Sequence, residues 1–446
     1  MIPVTRFGEW LRYSAVPMTR AIFLLTWLLA ARPLLAERVR VIVAVEPPSA
    51  VSGRTVESQR AGVIESLATA RGIERWGRSG AFVAEVESWE AELLRRDPRV
   101  RAVSPDSSGS GSLLESIPLV GGDIVAARGF DGRDVTVAIF DTGIDLTNPD
   151  FAGRVVAQQC FCDNLSGGCC PNNSTVQSGS GAAQDDHGHG THVAGIVAGA
   201  GQSGPRGVAP GAKIVAVKVL DSANRFASTT QIYRALEWIL DERPDVRVIN
   251  MSLGTSRLYT DEECGNNAAV FGFKAVLTPL RLRGVAIVVS TGNDGEATRM
   301  QFPACDASVL AVGATYDTAG TWSHVFNGFE CQDPNGARDQ VACFSNSSAG
   351  LDLLAPGAPI LSAKLGGRSA TMVGTSMAAP HVTGALALMT QVSHGVLPVE
   401  QAERILKSTG VPVTDSRNGI TTPRLDIAAA VTATPHATTK RRAVRP

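Results

Sequence analysis

The chain of 446 residues carries 41 basic and 42 acidic side chains, and 44% of its residues are hydrophobic. This length and apolar content are enough for one large α/β domain and a smaller one. The near balance of charge gives no reason to expect nucleic acid or an anionic membrane as a partner. The sequence shows no heptads, solenoid repeats or long low-complexity tracts, which excludes a coiled coil and a repeat protein.

Residues 1–36 have the character of a signal peptide region. Arg20 precedes the apolar run 21–31, and the small residue Ala36 follows it. The run is shorter than the ~18 to 20 residues that span a bilayer, so a short membrane anchor is the less favoured alternative. The residues ahead of Met18 are mixed in character, which makes this methionine a second candidate start. The region predicts a secreted protein, extracellular or periplasmic.

Residues 37–106 have the pattern of a separate small domain. Five elements in about 70 residues are typical of an α+β sandwich of the ferredoxin-like kind. The predicted order is strand, helix, strand, helix and strand, over 39–45, 55–70, 80–86, 89–96 and 100–106. A Gly/Ser-rich segment, 107–113, then predicts a flexible linker.

Two buried-type strands further along the chain end in polar side chains. The run 135–140 is nearly all apolar and leads into Asp141, while 286–289 leads to Asn293. Such runs are typical of strands covered on both faces in a parallel sheet. Open α/β sheets place active sites at the carboxyl ends of their strands. Taken alone, Asp141 is better explained as a turn aspartate, and a turn residue is the alternative for Asn293.

Eight cysteines behind a signal region predict disulfide bonds. Four of them fall within eleven positions, in a polar insertion that precedes a histidine-rich segment. A zinc site is the alternative, but the spacing lacks paired Cys-x2-Cys units. Cys331 and Cys343 bracket a second polar insertion, and a bond between them would close it.

The segment Gly374-Thr-Ser-Met-Ala-Ala-Pro-His381 precedes a small-residue apolar run that predicts a helix. Ser376 would lie at the positive end of the helix dipole, with its own N–H free to face a bound oxygen. These are two requirements of an acyl-transfer nucleophile, which also needs a base and an orienting acid. Three histidines in 187–192 are available as the base.

The order Asp, His, Asn, Ser with these local sequences resembles the subtilisin-like serine proteases, the subtilases. The resemblance covers 114–431 and implies a mostly parallel doubly wound sheet with helices on both faces. Asp-Thr-Gly-Ile makes Asp141 the acid, and His-Gly-Thr-His-Val-Ala-Gly makes His189 the base. The serine block makes Ser376 the nucleophile, and Asn293 becomes the oxyanion donor.

The resemblance also implies a substrate cleft and a zymogen. Residues 37–106 would be an inhibitory propeptide, removed by self-processing, although an unrelated N-terminal domain is the alternative. Asp150 matches an aspartate that binds calcium in many subtilases, but the short loop 200–206 argues against that ion. No cofactor is needed for the chemistry. The substrate-binding walls fall on Ser252, Leu253 and Gly254 on one side and on Ser290, Thr291 and Gly292 on the other.

The function predicted is a secreted serine endopeptidase that acts as a monomer on proteins or peptides. A non-enzymatic binding protein on a retained fold is the alternative, but such proteins usually lose one of the four groups. Peptide ligation through the same acyl-enzyme is not separable from hydrolysis by sequence. The Thr-, Pro- and Lys/Arg-containing end, 432–446, predicts a disordered tail.

Overall fold

The computed structural model describes residues 38–46, 55–76, 81–105, 113–164, 167–326 and 328–436. The chain divides into two compact units between Gly109 and Ser110. The predicted signal region, residues 107–112 of the predicted linker and residues 437–446 of the predicted tail lie outside the described residues. Within the described ranges, no helix combines the length and apolarity needed to cross a bilayer.

The first unit is an antiparallel sheet of four strands with two helices. Its strands stand in the order β2-β3-β1-β4. The sequence-based prediction missed β2, which lies at the sheet edge with Arg71, Ile73 and Arg75 exposed. The elements are β1 (Arg38–Val45), α1 (Val56–Glu65), β2 (Arg71–Trp76), β3 (Ala81–Glu87), α2 (Ser88–Leu94) and β4 (Val100–Pro105).

The second unit alternates strands and helices along the chain. Its strands are β5 (Thr136–Asp141), β6 (Val155–Phe161), β7 (Asp163–Asn164), β8 (Gly167–Gly168), β9 (Val176–Ser178), β10 (Lys213–Lys218), β11 (Val246–Met251), β12 (Leu258–Tyr259), β13 (Ala286–Ser290), β14 (Met300–Gln301), β15 (Leu310–Tyr316), β16 (Gly320–Phe326), β17 (Phe329–Gly336), β18 (Leu353–Ala358), β19 (Ile360–Lys364), β20 (Arg368–Met372), β21 (Val411–Thr414) and β22 (Thr421–Arg424). Its helices are α3 (Leu113–Leu119), α4 (Gly122–Ala127), α5 (His189–Ala198), α6 (Thr229–Glu242), α7 (Asp261–Gly265), α8 (Ala268–Leu282), α9 (Thr375–Val392), α10 (Val399–Thr409) and α11 (Ile427–Ala433), with a 3₁₀ turn at Pro149–Phe151.

Ten of these strands form one sheet, in the order β21-β22-β18-β15-β13-β11-β5-β10-β6-β9. The eight strands from β22 to β6 pair in parallel, and an antiparallel strand lies at each edge. Two apolar cores cover the two faces. This arrangement confirms the predicted mostly parallel, doubly wound sheet.

Strand β5 shows why the sheet is buried on both faces. Val137 and Ile139 point into the core that contains α5 and α9, and Ala138 and Phe140 point into the core that contains α6 and α8. Successive strand residues face opposite sides, so an all-apolar strand needs a helical layer on each. Polar side chains can therefore lie at the ends of the strands, beyond the two apolar layers.

All eight cysteines pair in disulfides. The polar insertion holds Cys160–Cys170 and Cys162–Cys169. Cys331–Cys343 joins β17 to the chain beyond it, which confirms the pairing expected for that insertion. The fourth bond, Cys264–Cys305, ties α7 to the chain after β14. The zinc alternative for the first four cysteines is therefore wrong, because their sulfurs are bonded to each other.

Candidate active site

Four polar residues named by the sequence lie at the ends of elements of the second unit. Asp141 is the last residue of β5, and Asn293 follows β13. His189 is the first residue of α5, while Ser376 lies in the first turn of α9. Because β5 and β13 belong to one parallel sheet, their carboxyl ends share one edge.

Asp141 and His189 are joined directly. The Asp141 Oδ1 atom lies 2.7 Å from His189 Nδ1 and also accepts a 2.8 Å hydrogen bond from the Thr142 N–H. Asp141 is fully buried, and His189 is 8% exposed. A carboxylate on Nδ1 favours the tautomer that leaves Nε2 free to accept a proton.

The charge state of His189 reflects two opposed effects. Burial disfavours the charged imidazole, but the adjacent Asp141 carboxylate and, to a smaller extent, the Asp185 carboxylate oppose it, and together they raise the pKa of His189 above the usual value. A base with a raised pKa is a stronger proton acceptor, provided that the pH keeps it neutral.

The other two histidines of the segment have different surroundings. His187 is exposed, whereas His192 is buried with its Nε2 atom 2.9 Å from the Ala370 carbonyl oxygen. Burial lowers the pKa of His192 to about 3, so this ring is neutral and packs beneath the site. Neither ring contacts Asp141 in the way that His189 does.

Asp185 organises the site, and sequence reasoning missed it. Its Oδ1 atom accepts hydrogen bonds from the Thr142 hydroxyl at 2.8 Å and from the Gly188 N–H at 2.9 Å. Its Oδ2 atom accepts from Thr191, in the first turn of α5. The buried carboxylate thus links the turn after β5 to the start of α5. An acidic residue shortly before a helix was the available signal.

Ser376 lies beside the turn that follows β11. Its hydroxyl donates to the Ser252 carbonyl oxygen at 3.4 Å, and its own carbonyl accepts from the Ser252 hydroxyl at 2.8 Å. Among the described hydrogen bonds, none joins Ser376 to His189. The structure thus brings the acid and the base into contact. The serine hydroxyl instead makes a long hydrogen bond to the Ser252 carbonyl oxygen.

Asn293 is held in one orientation by Thr375. Its Oδ1 atom accepts from the Thr375 N–H and the Thr375 hydroxyl, each at 2.9 Å. The amide NH₂ is therefore the group left for a ligand. A Cβ added at Gly374 would lie 3.3 Å from Asn293 Nδ2 and 3.7 Å from the Ser376 nitrogen. Glycine at this position keeps open the space that the two donors share.

The residues predicted to form the two walls have mostly buried side chains. Leu253 packs into a core, and Ser290 and Thr291 are also buried, so these side chains face away from solvent. The Gly292 N–H donates to the Thr375 hydroxyl at 3.2 Å, which ties the second wall to α9. The first wall, Ser252 to Gly254, is tied to α9 through Ser252.

Asp150 does not lie in a set of metal ligands. Its carboxylate accepts hydrogen bonds from the backbone N–H groups of Gln202, Ser203 and Gly204 and from the Ser203 hydroxyl. Burial opposes its charge, but these donors lower the pKa of Asp150. N–H groups repel a cation, so these residues do not fit a calcium site. Among the residues that the structure describes, no three or more His, Cys, Asp or Glu side chains are grouped so that they could hold a metal ion.

Comparison with known proteins decides the family. The model of the subtilase family matches residues 132–427. The chain belongs to the subtilase family. It is 35% identical over 313 residues to an alkaline protease of Alkalihalobacillus alcalophilus. The matched region covers 69% of this chain and 68% of that protein. It is also 38% identical over 266 residues to subtilisin BL of Lederbergia lenta. This match covers 59% of this chain and 79% of that protein.

A solved cold-adapted subtilisin-like serine proteinase is also similar, with 28% identity, a TM-score of 0.49, and coverage of 66% of this subtilase and 89% of that chain. Membership in the family confirms the predicted class of enzyme, a subtilisin-like serine endopeptidase. The alternative of a non-enzymatic binding protein is thereby set aside.

Proposed function

We propose that this subtilase is a secreted, monomeric endopeptidase, made as a self-processed zymogen, with Asp141, His189 and Ser376 as its triad. The observation that carries the proposal is the 2.7 Å contact between the buried Asp141 carboxylate and His189 Nδ1 at the edge of the parallel sheet. It supplies an oriented base at the start of α5, and this helix packs against α9, whose first turn holds Ser376. Eight cysteines that all pair in disulfides suit an oxidising compartment outside the cytoplasm.

The reaction follows from these groups. His189 Nε2 takes the hydroxyl proton as Ser376 Oγ bonds to the scissile carbonyl carbon. The oxygen of that carbonyl becomes an anion, held by the Asn293 NH₂ group and the Ser376 N–H. His189 then gives the proton to the amine nitrogen, the carbon–nitrogen bond breaks, and an acyl-enzyme remains. Water, deprotonated by His189, releases the acid product and restores the serine.

Proteolysis itself tests the proposal. The protein expressed from the full chain should cut an unfolded protein such as carboxymethylated casein at internal peptide bonds, and mass spectrometry should identify the fragments. A fluorophosphonate should stop the reaction. A protein that releases only terminal residues, or whose cleavage survives the fluorophosphonate, would not be the enzyme proposed.

A separate prediction concerns Asn293, the proposed oxyanion donor. We expect Asn293→Ala to lower kcat by about 10²- to 10³-fold with little change in KM, because the donor acts on charge that develops in the transition state. That range is subtilisin's own, and the structure supplies only the residue. Steady-state kinetics on one peptide measures it, with the exposed Asn266→Ala as a control. A change confined to KM would contradict the assignment.

The first unit gives a prediction about maturation. Its last strand, β4, stands at the edge of the four-stranded sheet and can pair with a further extended segment. We infer that this unit is an inhibitory propeptide and that the mature enzyme begins near Ser107 to Ser116.

N-terminal sequencing of the secreted protein should therefore find a start in that region. Residues 38–106, added back as the fragment released during maturation, should inhibit peptide hydrolysis. A secreted form that keeps this unit covalently attached and is fully active would show it to be a permanent domain.

A further inference from the structure

Asn346 is a fully buried asparagine whose contacts converge on the turn that carries Asn293. It lies between β17 and β18, well beyond that turn in the chain. Its backbone N–H donates to the Gly292 carbonyl oxygen at 3.1 Å, and its backbone carbonyl accepts from the Thr291 hydroxyl at 2.9 Å. The backbone of Asn346 thus contacts the two residues directly ahead of Asn293.

The side chain of Asn346 extends this attachment to the residues after Asn293. Its Oδ1 atom accepts from the N–H groups of Asp294 at 2.9 Å and Glu296 at 3.1 Å. Its Nδ2 atom donates to the Thr291 carbonyl oxygen at 3.2 Å and to Asp294 Oδ2 at 2.8 Å. An amide can donate two hydrogen bonds and accept two, so this side chain uses its whole capacity on the one turn.

Gly292 leaves room for the amide group beside the turn. Its φ of 105° lies in the region that favours glycine. A Cβ added there would lie 2.5 Å from Asn346 Nδ2. A larger residue would therefore push the amide away from the backbone that it holds.

Two separate anchors fix the proposed oxyanion donor. Thr375, on α9, holds the Asn293 side chain through Oδ1, and Asn346 holds the backbone on both sides of Asn293. Hydrogen-bond donors stabilise a transition state best when they are already in place, because no reorganisation is then needed during the reaction. A displacement of about 1 Å can cost about 10²-fold in rate.

We infer that Asn346 is a positioning residue for the reaction, which keeps the Asn293 NH₂ group aimed at the oxyanion by fixing the turn on which Asn293 stands. The inference rests on the proposed function, which assigns the oxyanion to Asn293. The effect of Asn346 on catalysis should therefore depend on Asn293. An asparagine that only stabilised the fold would act in the same way whether or not the Asn293 side chain were present.

The test is a double-mutant cycle on one peptide substrate, with enzyme expressed from the full chain and kcat expressed per folded molecule. Asn346→Ala should lower kcat by about 10- to 10²-fold with little change in KM. In the Asn293→Ala background the same change should lower kcat by no more than about 2-fold. Asn346→Asp keeps the shape and the Oδ1 acceptor but loses both donated bonds. It should show the same dependence on Asn293, and it replaces the alanine variant if that variant does not fold.

Asn148→Ala is the matched control. This asparagine is 1% exposed, and its side chain is also bonded at both ends. It accepts from the Asp150 N–H and the Ser203 hydroxyl and donates to the Lys364 carbonyl oxygen. None of these described bonds reaches the turn that carries Asn293, so its loss should leave kcat unchanged in both backgrounds.

Each result decides the inference. A normal kcat in Asn346→Ala, a loss confined to KM, or an equal loss of kcat with and without the Asn293 side chain would overturn it. If Asn293→Ala lowers kcat as expected but the two losses simply multiply, only the role of Asn346 is refuted. If Asn293→Ala itself leaves kcat unchanged, the oxyanion assignment in the proposed function fails as well.

Discussion

Replacement of Ser376 by alanine is expected to lower kcat by about 10⁶-fold and to leave the first unit covalently attached. The figure is the one known for subtilisin, a relative of this chain, and only the residue is inferred. The physical reason is that no other group of the site can form the acyl bond, since Asn293 and the Ser376 N–H only stabilise charge. Active-site kinetics and the mass of the secreted protein measure the two effects.

The control is Ser408→Ala, which removes an exposed hydroxyl on α10. It should mature and turn over like the wild type. If Ser376→Ala retained a normal turnover, the nucleophile would be another residue. A loss of folding is separated from a loss of chemistry by the circular dichroism of the purified variant.

Asp141→Asn is expected to lower kcat by about 10⁴-fold, the size found when the triad carboxylate of a serine protease becomes an amide. An amide can donate to His189 Nδ1, which favours the tautomer with its proton on Nε2, where it blocks the base. Asp123→Asn, on an exposed position of α4, is the matched control and should be silent.

The same variant should shift the pH profile. Burial alone would lower the pKa of His189, and the Asp141 carboxylate raises it, with a smaller contribution from the Asp185 carboxylate. In the wild type kcat/KM should rise with pH through a pKa above the ordinary ~6.5 of histidine, because only the neutral ring accepts a proton. In Asp141→Asn the residual activity should rise at a lower pH. If kcat/KM of the variant rose at the same pH as that of the wild type, Asp141 would not be the group that sets the charge of His189.

The architecture of the second unit was predicted from the resemblance to the subtilases, and local sequence supports individual elements of it. The apolar run that ends at Asp141 predicts a strand buried on both faces, and β5 is such a strand. The small residues after His189 and Ser376 predict the starts of α5 and α9. Strand β2 escaped prediction because an exposed edge strand needs no apolar alternation. Three of the four disulfide pairings also escaped, since pairing depends on which loops meet in space.

Local sequence also predicted part of the chemistry of the site. Short blocks identify Asp141 and His189, but the role of Asp185 depends on backbone N–H groups from two separate segments. Such contacts join residues far apart in the chain, so no local pattern reports them.

The most direct measurement is the site of a fluorophosphonate adduct on the wild-type protein. Folded enzyme should take up one phosphonyl group per active molecule, and tandem mass spectrometry should place it on Ser376. Protein unfolded beforehand should take up none, because the reaction needs His189 held by Asp141. An adduct on another residue, or hydrolysis that continues in protein fully labelled at Ser376, would contradict the account.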